Sequence, residues 1–189
     1  MTWRSRTIVH TVDAVEAWLR GSIQLDKPLL IGVDGFDGAG KSHLTRALSN
    51  RCGFPYIAVD DDRFRARHFD DGSGVTSYAD TTNIAKLREE ASSLRRGALP
   101  FLVDAVTLGD VLTAVGEKAD VRIYVMKLSE NFLVADLVWH EQYNIAGFED
   151  GSFPLEPPPL ARCILEYHAQ SKPHERADLI YAWQPPMNV

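Results

Sequence analysis

An eight-residue segment limits the choice of fold for this chain more than any other feature. Gly35-Phe-Asp-Gly-Ala-Gly-Lys-Ser42 follows an apolar run and matches the pattern G-x-x-x-x-G-K-[ST] at every fixed position. Its glycines let successive backbone N–H groups point into one concavity, and a helix that begins at Lys41 adds unpaired N–H groups that favour an anion. A chance match in a chain of this size is roughly a one-in-a-hundred event. The segment therefore predicts a phosphate-binding loop between a strand and a helix.

Each part of this loop has an expected role in holding a nucleotide. Lys41 is expected to reach the outer phosphates and to act in catalysis, and the Ser42 hydroxyl is expected to ligate Mg²⁺. The predicted nucleotide-binding residues are Gly35, Phe36, Asp37, Gly38, Ala39, Gly40, Lys41, Ser42 and His43.

Apolar runs and helical patterns alternate along the rest of the chain. Strands are predicted at residues 28–33, 55–59, 101–106, 121–126 and 179–182. Helices are predicted at about 11–20, 41–50, 82–96, 129–143 and 160–171. This alternation predicts an α/β fold with a five-stranded parallel sheet covered by helices on both faces. The length of 189 residues suits one domain spanning 1–189.

Composition narrows the classes of partner and the compartment. Twenty Lys and Arg stand against 26 Asp and Glu, and no basic run occurs, so general nucleic-acid binding is disfavoured. Cys52 and Cys163 lie far apart without metal-ligand spacing, which favours the reducing cytoplasm. No apolar stretch is long enough for a signal peptide or a membrane span. We expect a cytoplasmic protein that binds a nucleotide and a small-molecule acceptor, and the sequence leaves a homodimer open.

Residues 31–44, Ile-Gly-Val-Asp-Gly-Phe-Asp-Gly-Ala-Gly-Lys-Ser-His-Leu, resemble the opening of the uridine kinase-like group of P-loop kinases. This group is related to pantothenate kinase and nicotinamide riboside kinase. The resemblance extends over residues 29–182, with short motifs beyond the loop, such as Tyr167…Pro173…Ala177-Asp178. It implies the three-layer sandwich of a P-loop NTPase and the cofactors ATP and Mg²⁺. It also implies transfer of the γ-phosphoryl group to a hydroxyl of a small molecule, such as a nucleoside or a vitamin-like alcohol.

A run of three aspartates follows the second predicted strand, where the group carries an Asp-x-Phe element. In Val59-Asp-Asp-Asp-Arg-Phe64 the element falls on Asp62, and the resemblance makes this residue the catalytic base, with Asp61 beside it as a metal ligand. A carboxylate at this strand end can accept a hydroxyl proton and help to organise Mg²⁺. The alternative is a solvated turn that caps a helix.

The third predicted strand ends at Asp104, where the group carries a carboxylate, usually Glu followed by Gly. The resemblance makes Asp104 a ligand of the metal or the acceptor, although Asp104-Ala105 departs from the pattern in both residues. A strand-end cap is the alternative. Position alone suggests a set of acceptor-binding residues, which are Arg63, Tyr78, Asp80 and Arg162.

The chain departs from the group in the lid-like region at about 129–158. Members of the group carry arginines there that neutralise charge on the transferring phosphoryl group. This chain has no arginine between Arg122 and Arg162, and Lys127 is its only lysine in that interval. The substitutes considered for the missing charge are Arg162, Lys172, Arg176 and a protonated His140.

Three classes of function follow from these observations. A small-molecule kinase is the leading hypothesis. The missing arginines favour the alternative of a nucleotide-binding regulatory protein with little catalysis. A GTPase switch is weaker, because no [NT]-K-x-D segment occurs and no D-x-x-G follows the third strand.

Overall fold

Six parallel strands form the centre of the fold in the computed structural model, which describes residues 7–66, 77–128 and 159–184. The strands are β1 (Thr7–Val9), β2 (Leu30–Asp34), β3 (Tyr56–Ala58), β4 (Phe101–Asp104), β5 (Val121–Lys127) and β6 (Leu179–Trp183). The α-helices are α1 (Val12–Ser22), α2 (Lys41–Cys52), α3 (Ile84–Arg95), α4 (Leu108–Val115), α5 (Pro159–Ser171) and α6 (Pro173–Arg176). Two 3₁₀ helices cover Asp62–Phe64 and Tyr78–Thr81. The strand order is β1-β6-β5-β2-β4-β3.

The α/β class and all five predicted strands are confirmed, but the predicted strand count is wrong. The additional strand is β1, which pairs in parallel with β6 from Thr7↔Leu179 to Val9↔Tyr181. It has only three residues, lies at the sheet edge and is largely exposed, so its sequence carries no buried apolar run. Its place in the sheet depends on pairing with a distant strand, which local periodicity does not report.

Among the described residues the predicted helices are confirmed, and two α-helices, α4 and the four-residue α6, were not predicted. Leu108, Val111, Leu112 and Val115 are the buried residues of α4, at the i, i+3, i+4, i+7 spacing of a helix with one apolar face. That signal was present in the sequence, but the helix has only eight residues. The predicted helix near 11–20 is α1, where the Thr11 side chain accepts a hydrogen bond from Ala14 N and the helix continues to Ser22.

The sheet packs a separate apolar cluster on each face. On one face Ile31 and Val33 of β2 pack with Leu44 and Leu48 of α2. On the other face Leu30 belongs to a cluster that α3 and α4 supply. Adjacent residues of β2 alternate between the clusters because successive side chains of a strand point to opposite faces. This alternation places Asp34 on the same face as Gly32, toward α4.

The carboxyl ends of β2, β3 and β4 lie side by side and create the candidate site. Val33 and Ala58 both pair with Asp104, so the phosphate loop after β2 and the aspartates after β3 leave the sheet at the same edge. Crevices at this edge of parallel sheets are the usual ligand sites of α/β proteins.

The lid-like region predicted at 129–158 and its helix at 129–143 lie outside the described residues. The single domain over 1–189 stays a prediction. Among the described helices, none combines the length and the apolar character that crossing a bilayer requires.

Candidate functional site

The phosphate loop adopts a conformation that three of its glycines permit. Gly35, Gly38 and Gly40 have φ values of 148°, 72° and 97°, in the positive-φ region that L side chains rarely occupy. Gly40 is the N-cap of α2, and no side chain caps the helix there. The first N–H groups of α2 therefore remain available to an anion. His43 lies exposed in the first turn of the helix.

The Lys41 side chain is buried and folds back across the loop. Its side-chain Nζ donates to the Phe36 carbonyl at 2.7 Å, and the residue is only 4% exposed. Burial lowers the pKa of Lys41, and Asp60 is the foremost of the carboxylates that oppose this shift, followed by Asp104 and Asp34. A cation inside a ring of carboxylates is well placed to neutralise phosphate oxygens.

Asp104 and Ser42 meet at the base of the loop, as the sequence predicts for a metal site. The Ser42 hydroxyl donates to Asp104 Oδ1 at 3.3 Å, and Asp104 is fully buried. In the described part of the chain, Asp104 Oδ2 has no hydrogen-bond partner. Burial raises the pKa of Asp104 to about 6, against the opposing effects of the Thr45 hydroxyl and Lys41.

These two side chains fit Mg²⁺. A buried carboxylate oxygen without a partner is costly, and a hard cation would satisfy it. Magnesium usually takes one or two protein ligands and completes its shell with water and phosphate oxygens. No cluster of three acidic, His or Cys side chains that could hold a metal by itself occurs within residues 7–66, 77–128 and 159–184.

Asp34 forms a hydrogen bond to the first residue of the phosphate loop, and the sequence analysis did not predict it as a site residue. Its Oδ1 accepts from the Gly35 N–H at 2.8 Å, and its Oδ2 accepts from the Tyr167 hydroxyl at 2.5 Å. The Tyr167 oxygen in turn accepts from Gly109 N at 2.9 Å. Burial raises the pKa of Asp34 to about 7, and these hydrogen bonds oppose that shift. Because successive side chains of β2 point to opposite faces of the sheet, Asp34 lies on the face away from α2. This alternation could have been read from the sequence.

Two further aromatic contacts hold the loop, and neither has a signature in the sequence. The Trp183 indole donates to the Ala39 carbonyl at 2.6 Å, and its ring packs on Gly40 so closely that an added Cβ would lie 2.8 Å from Nε1. On the other side the His168 ring stacks on Phe36, with 3.8 Å between the ring centroids. Both contacts join β6 or α5 to the loop over long sequence separations.

A cavity of about 230 Å³ lies beside the loop, after β3. Asp60 lines it, together with Asp61, Arg65 and Tyr78. The Tyr78 hydroxyl donates to Asp60 Oδ1. Asp60 is exposed to solvent, yet partial desolvation raises the pKa of its carboxyl, and the nearby Lys41 charge opposes this shift. Asp60 thus lines the cavity and lies within electrostatic reach of the phosphate loop.

The other residues predicted from the aspartate run are placed differently. Asp62 lies outside the lining of the cavity described above, and its side chain is 89% exposed and 3.5 Å from Arg65. Asp61 caps the first 3₁₀ helix by accepting from Arg63 N at 3.0 Å. The turn-and-cap alternative thus describes the contacts of Asp61. The base role of Asp62 and the metal role of Asp61 stay predictions.

The remaining predicted acceptor residues divide into two groups. Tyr78 lines the cavity, and Arg162 lies in the first turn of α5, two residues after the lining residue Leu160. Arg63 instead pairs with Glu90 at 3.1 Å. Asp80 accepts from Ser77 N at 2.8 Å in a capping box of the second 3₁₀ helix.

The residues considered as replacements for the missing lid arginines lie in different parts of the structure. Arg162 follows Leu160, a lining residue of the cavity after β3, by two residues, whereas Arg176 lines a different cavity on the α4 face of the sheet. Lys172 precedes α6 as its N-cap. His140 lies outside the described residues. Position thus favours Arg162.

Comparison with solved structures identifies relatives of the fold. The structure named "Possible Uridine Kinase from Bacillus stearothermophilus" matches with a TM-score of 0.57 and 13% identity, over 90% of this chain and 96% of that chain. A "putative kinase" from Chloroflexus aurantiacus j-10-fl matches with a TM-score of 0.41 and 17% identity, over 86% and 92%. A "putative fructose transport system kinase" from Silicibacter sp. TM1040 matches with 0.47 and 16%, over 94% and 100%.

The first of these matches confirms the fold that the resemblance predicted. It covers nearly the whole of both chains, so this protein shares the α/β fold of that structure. At 13% identity this match shows the fold and says nothing of the activity. No family model and no curated protein sequence matches the chain.

Proposed function

We propose that this protein is an ATP-dependent phosphotransferase that moves the γ-phosphoryl group to a hydroxyl of a small molecule. The observation that carries this proposal is the shared edge of the sheet, where Val33 and Ala58 both pair with Asp104, so that the phosphate loop after β2 and Asp60 after β3 leave the sheet side by side. This edge brings a carboxylate of a small cavity near the lysine of a phosphate loop. A kinase needs this juxtaposition, because its acceptor must meet the terminal phosphate in line.

In the proposed reaction the acceptor lies in the cavity after β3, with its hydroxyl at Asp60. The acceptor oxygen forms a bond to the γ-phosphorus, the bond from the γ-phosphorus to the oxygen bridging to the β-phosphate breaks, and ADP leaves. Asp60 takes the hydroxyl proton, since its carboxylate faces the cavity. The Tyr78 hydroxyl fixes the orientation of Asp60. Lys41 and the N–H groups of the loop stabilise charge on the phosphate oxygens.

Ser42 and Asp104 are the residues that would hold Mg²⁺. When bound, the ion neutralises charge shared between the β- and γ-phosphates. Asp104 contributes a buried carboxylate oxygen that lacks another partner in the described part of the chain. ATP as the nucleotide rests on the resemblance to the uridine kinase-like group.

The test is ADP release with ATP and Mg²⁺ across a panel of nucleosides, vitamin-like alcohols and small sugars. We expect one class of acceptor to stimulate release by the parent, and Asp60→Asn to reduce this stimulated rate by about 10²-fold, the lower end of the range for a general base. Asp62→Asn is the matched control, and its rate should stay within about threefold because its exposed ion pair contributes little. Loss of activity in Asp62→Asn alone would return the role of base to Asp62.

The absence of arginine between Arg122 and Arg162 favours a second candidate, a nucleotide-binding regulatory protein. In that case ATP would bind without acceptor-stimulated ADP release. The same panel separates the two functions when ATP binding is measured alongside turnover. Robust turnover with any acceptor would eliminate the regulatory candidate.

A further inference from the structure

A second cavity, larger than the one beside Asp60, lies on the α4 face of the sheet. Its volume is about 530 Å³, and α4, β5 and the α5–α6 segment form its walls. This size falls in the range of small-molecule sites, which extends from about 300 to 1,000 Å³. It is separate from the Asp60 cavity, since the two share no lining residue in the described part of the chain.

The cavity has an apolar wall and a polar floor. Leu108, Leu112 and Ile123 supply much of the wall. Asp34 and Tyr167 supply the floor, where they share the 2.5 Å hydrogen bond described above. Ligand sites typically combine an apolar lining with a few convergent polar groups of this kind.

Positive charge collects around the same cavity. Lys118, Arg122 and Arg176 line it, and within residues 7–66, 77–128 and 159–184 none of their side chains has an ion-pair partner. The acidic residues of the lining are Asp34, Asp110 and Glu117, equal in number to the cationic ones. Glu117 pairs with Arg95 at 3.1 Å, and burial raises the pKa of Asp34 to about 7, which weakens its charge near neutral pH. Asp110 then remains as the main carboxylate against three cationic side chains, a balance that favours an anionic ligand.

We propose that this cavity is a second ligand site, which binds a small organic anion with an apolar body. The apolar part of the ligand packs on the leucine wall, and its anionic group is held by Arg122 and Arg176. The assignment does not depend on the reaction proposed above, because it concerns a different cavity.

The floor of the cavity connects this second site to the phosphate loop. The carboxyl group of Asp34 that faces Tyr167 also accepts the first amide of the loop, Gly35 N, at 2.8 Å. A ligand that reorients the Asp34–Tyr167 pair changes the hydrogen bond at Gly35. Occupancy of the cavity is thereby coupled to nucleotide affinity, and linkage makes the coupling equal in both directions.

The test uses 8-anilinonaphthalene-1-sulfonate, a fluorescent anion with an apolar body, titrated into the full chain. We expect saturable binding of one molecule per chain. The double variant Arg122→Gln/Arg176→Gln should weaken it roughly five- to thirtyfold, as expected for two partly exposed charge contacts. Arg96→Gln, an exposed arginine outside the cavity, is the matched control and should bind the probe as the parent does.

Two further arms keep the result interpretable. The neutral analogue N-phenyl-1-naphthylamine should bind the parent and the double variant equally, which shows that the cavity of the variant is intact. Lys41→Met should retain the sulfonate probe, because the phosphate loop is not its site. Saturating ATP·Mg²⁺ should change the affinity of the parent for the probe by roughly fivefold or more, and should have a smaller effect in Lys41→Met.

Three outcomes would overturn the proposal. They are the absence of saturable binding, equal probe affinity in the parent and the arginine double variant, and loss of the probe in Lys41→Met. Unchanged probe affinity in the presence of ATP·Mg²⁺ would overturn the link through Asp34.

Discussion

The two sides of the candidate site differ in how their charged groups are placed. On the phosphate side the charged groups are buried and are fixed by contacts with the loop. On the acceptor side the charged groups are exposed and contact largely one another. Lys41 and Asp104 are 4% and 0% exposed. By contrast, Asp60 is exposed, and the side chain of Arg65 is 65% exposed. Exposed ion pairs contribute only about 0–1 kcal/mol, while buried charges depend strongly on their partners. The phosphate side is therefore organised before a ligand binds, and single changes there should have the larger effects.

The largest effect is expected for Lys41→Met, which removes the buried cation of the phosphate side. Acceptor-stimulated ADP release should fall by about 10²- to 10³-fold, as it does when one preorganised charge contact to the reacting group is lost. The measurement is steady-state turnover with saturating acceptor. Lys27→Met changes an exposed lysine in the turn before β2 and should leave the rate unchanged. Turnover by Lys41→Met at the parent rate would remove the phosphate loop from the mechanism.

The second effect concerns Asp34 and the pH dependence of stability. Its pKa is raised from 3.8 to about 7 by burial, so between these values the native state holds a proton that the unfolded chain has lost. Stability from this group is present below pH 3.8 and is lost as pH rises through about 7, by up to about 4 kcal/mol.

Asp34→Asn removes this titration while preserving the shape of the side chain. Urea unfolding at a series of pH values from 5 to 8 should therefore show a smaller decline for the variant than for the parent. Asp26→Asn, at an exposed position before β2, is the control and should follow the parent curve. Parallel curves for Asp34→Asn and the parent would contradict the buried, protonated state of Asp34.

A third effect should separate loop geometry from general stability. Gly40→Ala places a Cβ 2.8 Å from the Trp183 indole at a φ of 97°, so we expect ATP affinity to fall about tenfold. Gly116→Ala is the matched control, because its φ of 78° carries similar backbone strain while an added Cβ meets nothing within 4 Å. The control should lose stability and keep its ATP affinity, as measured by calorimetric titration. Equal affinities for ATP in the two variants would contradict the role of the Trp183 contact.

The smallest effect is expected on the acceptor side. Tyr78→Phe removes one hydrogen bond to Asp60, and the KM for the acceptor should rise about threefold, since a partly exposed hydrogen bond contributes about 0.5–1 kcal/mol. Tyr56→Phe, in β3 and outside the cavity lining, should not change it. A fall in turnover in Tyr78→Phe as large as the fall in Lys41→Met would contradict the difference between the phosphate side and the acceptor side.

The phosphate side and the acceptor side also differ in how well the sequence predicts their residues. The phosphate loop is a contiguous segment with fixed spacing, and the roles of Lys41 and Ser42 were predicted from it directly. The resemblance predicted Asp104 as a ligand of the metal or the acceptor, and the structure places its Oδ1 3.3 Å from the Ser42 hydroxyl. The fold class followed from the alternation of apolar runs and helical patterns.

The rest of the site depends on contacts that no local pattern encodes. Three consecutive aspartates give no signal for which of them lines the cavity after β3. The resemblance pointed to Asp62, whereas Asp60 and Asp61 line this cavity and Asp62 does not. Trp183 and Tyr167 reach the loop region across 144 and 133 residues of sequence. Such contacts are set by the strand order, which the spacing of the elements does not determine.

The most direct test of the organised phosphate side is a calorimetric titration of the parent and Asp104→Asn with ATP, with Mg²⁺ and with a chelator. We expect Mg²⁺ to tighten ATP binding by the parent, and Asp104→Asn to lose roughly tenfold or more of affinity in Mg²⁺, as is typical when a residue supporting a metal is removed. In the chelator the two proteins should bind ATP alike. Equal affinities in Mg²⁺ would contradict a nucleotide site built on the loop, Ser42 and Asp104.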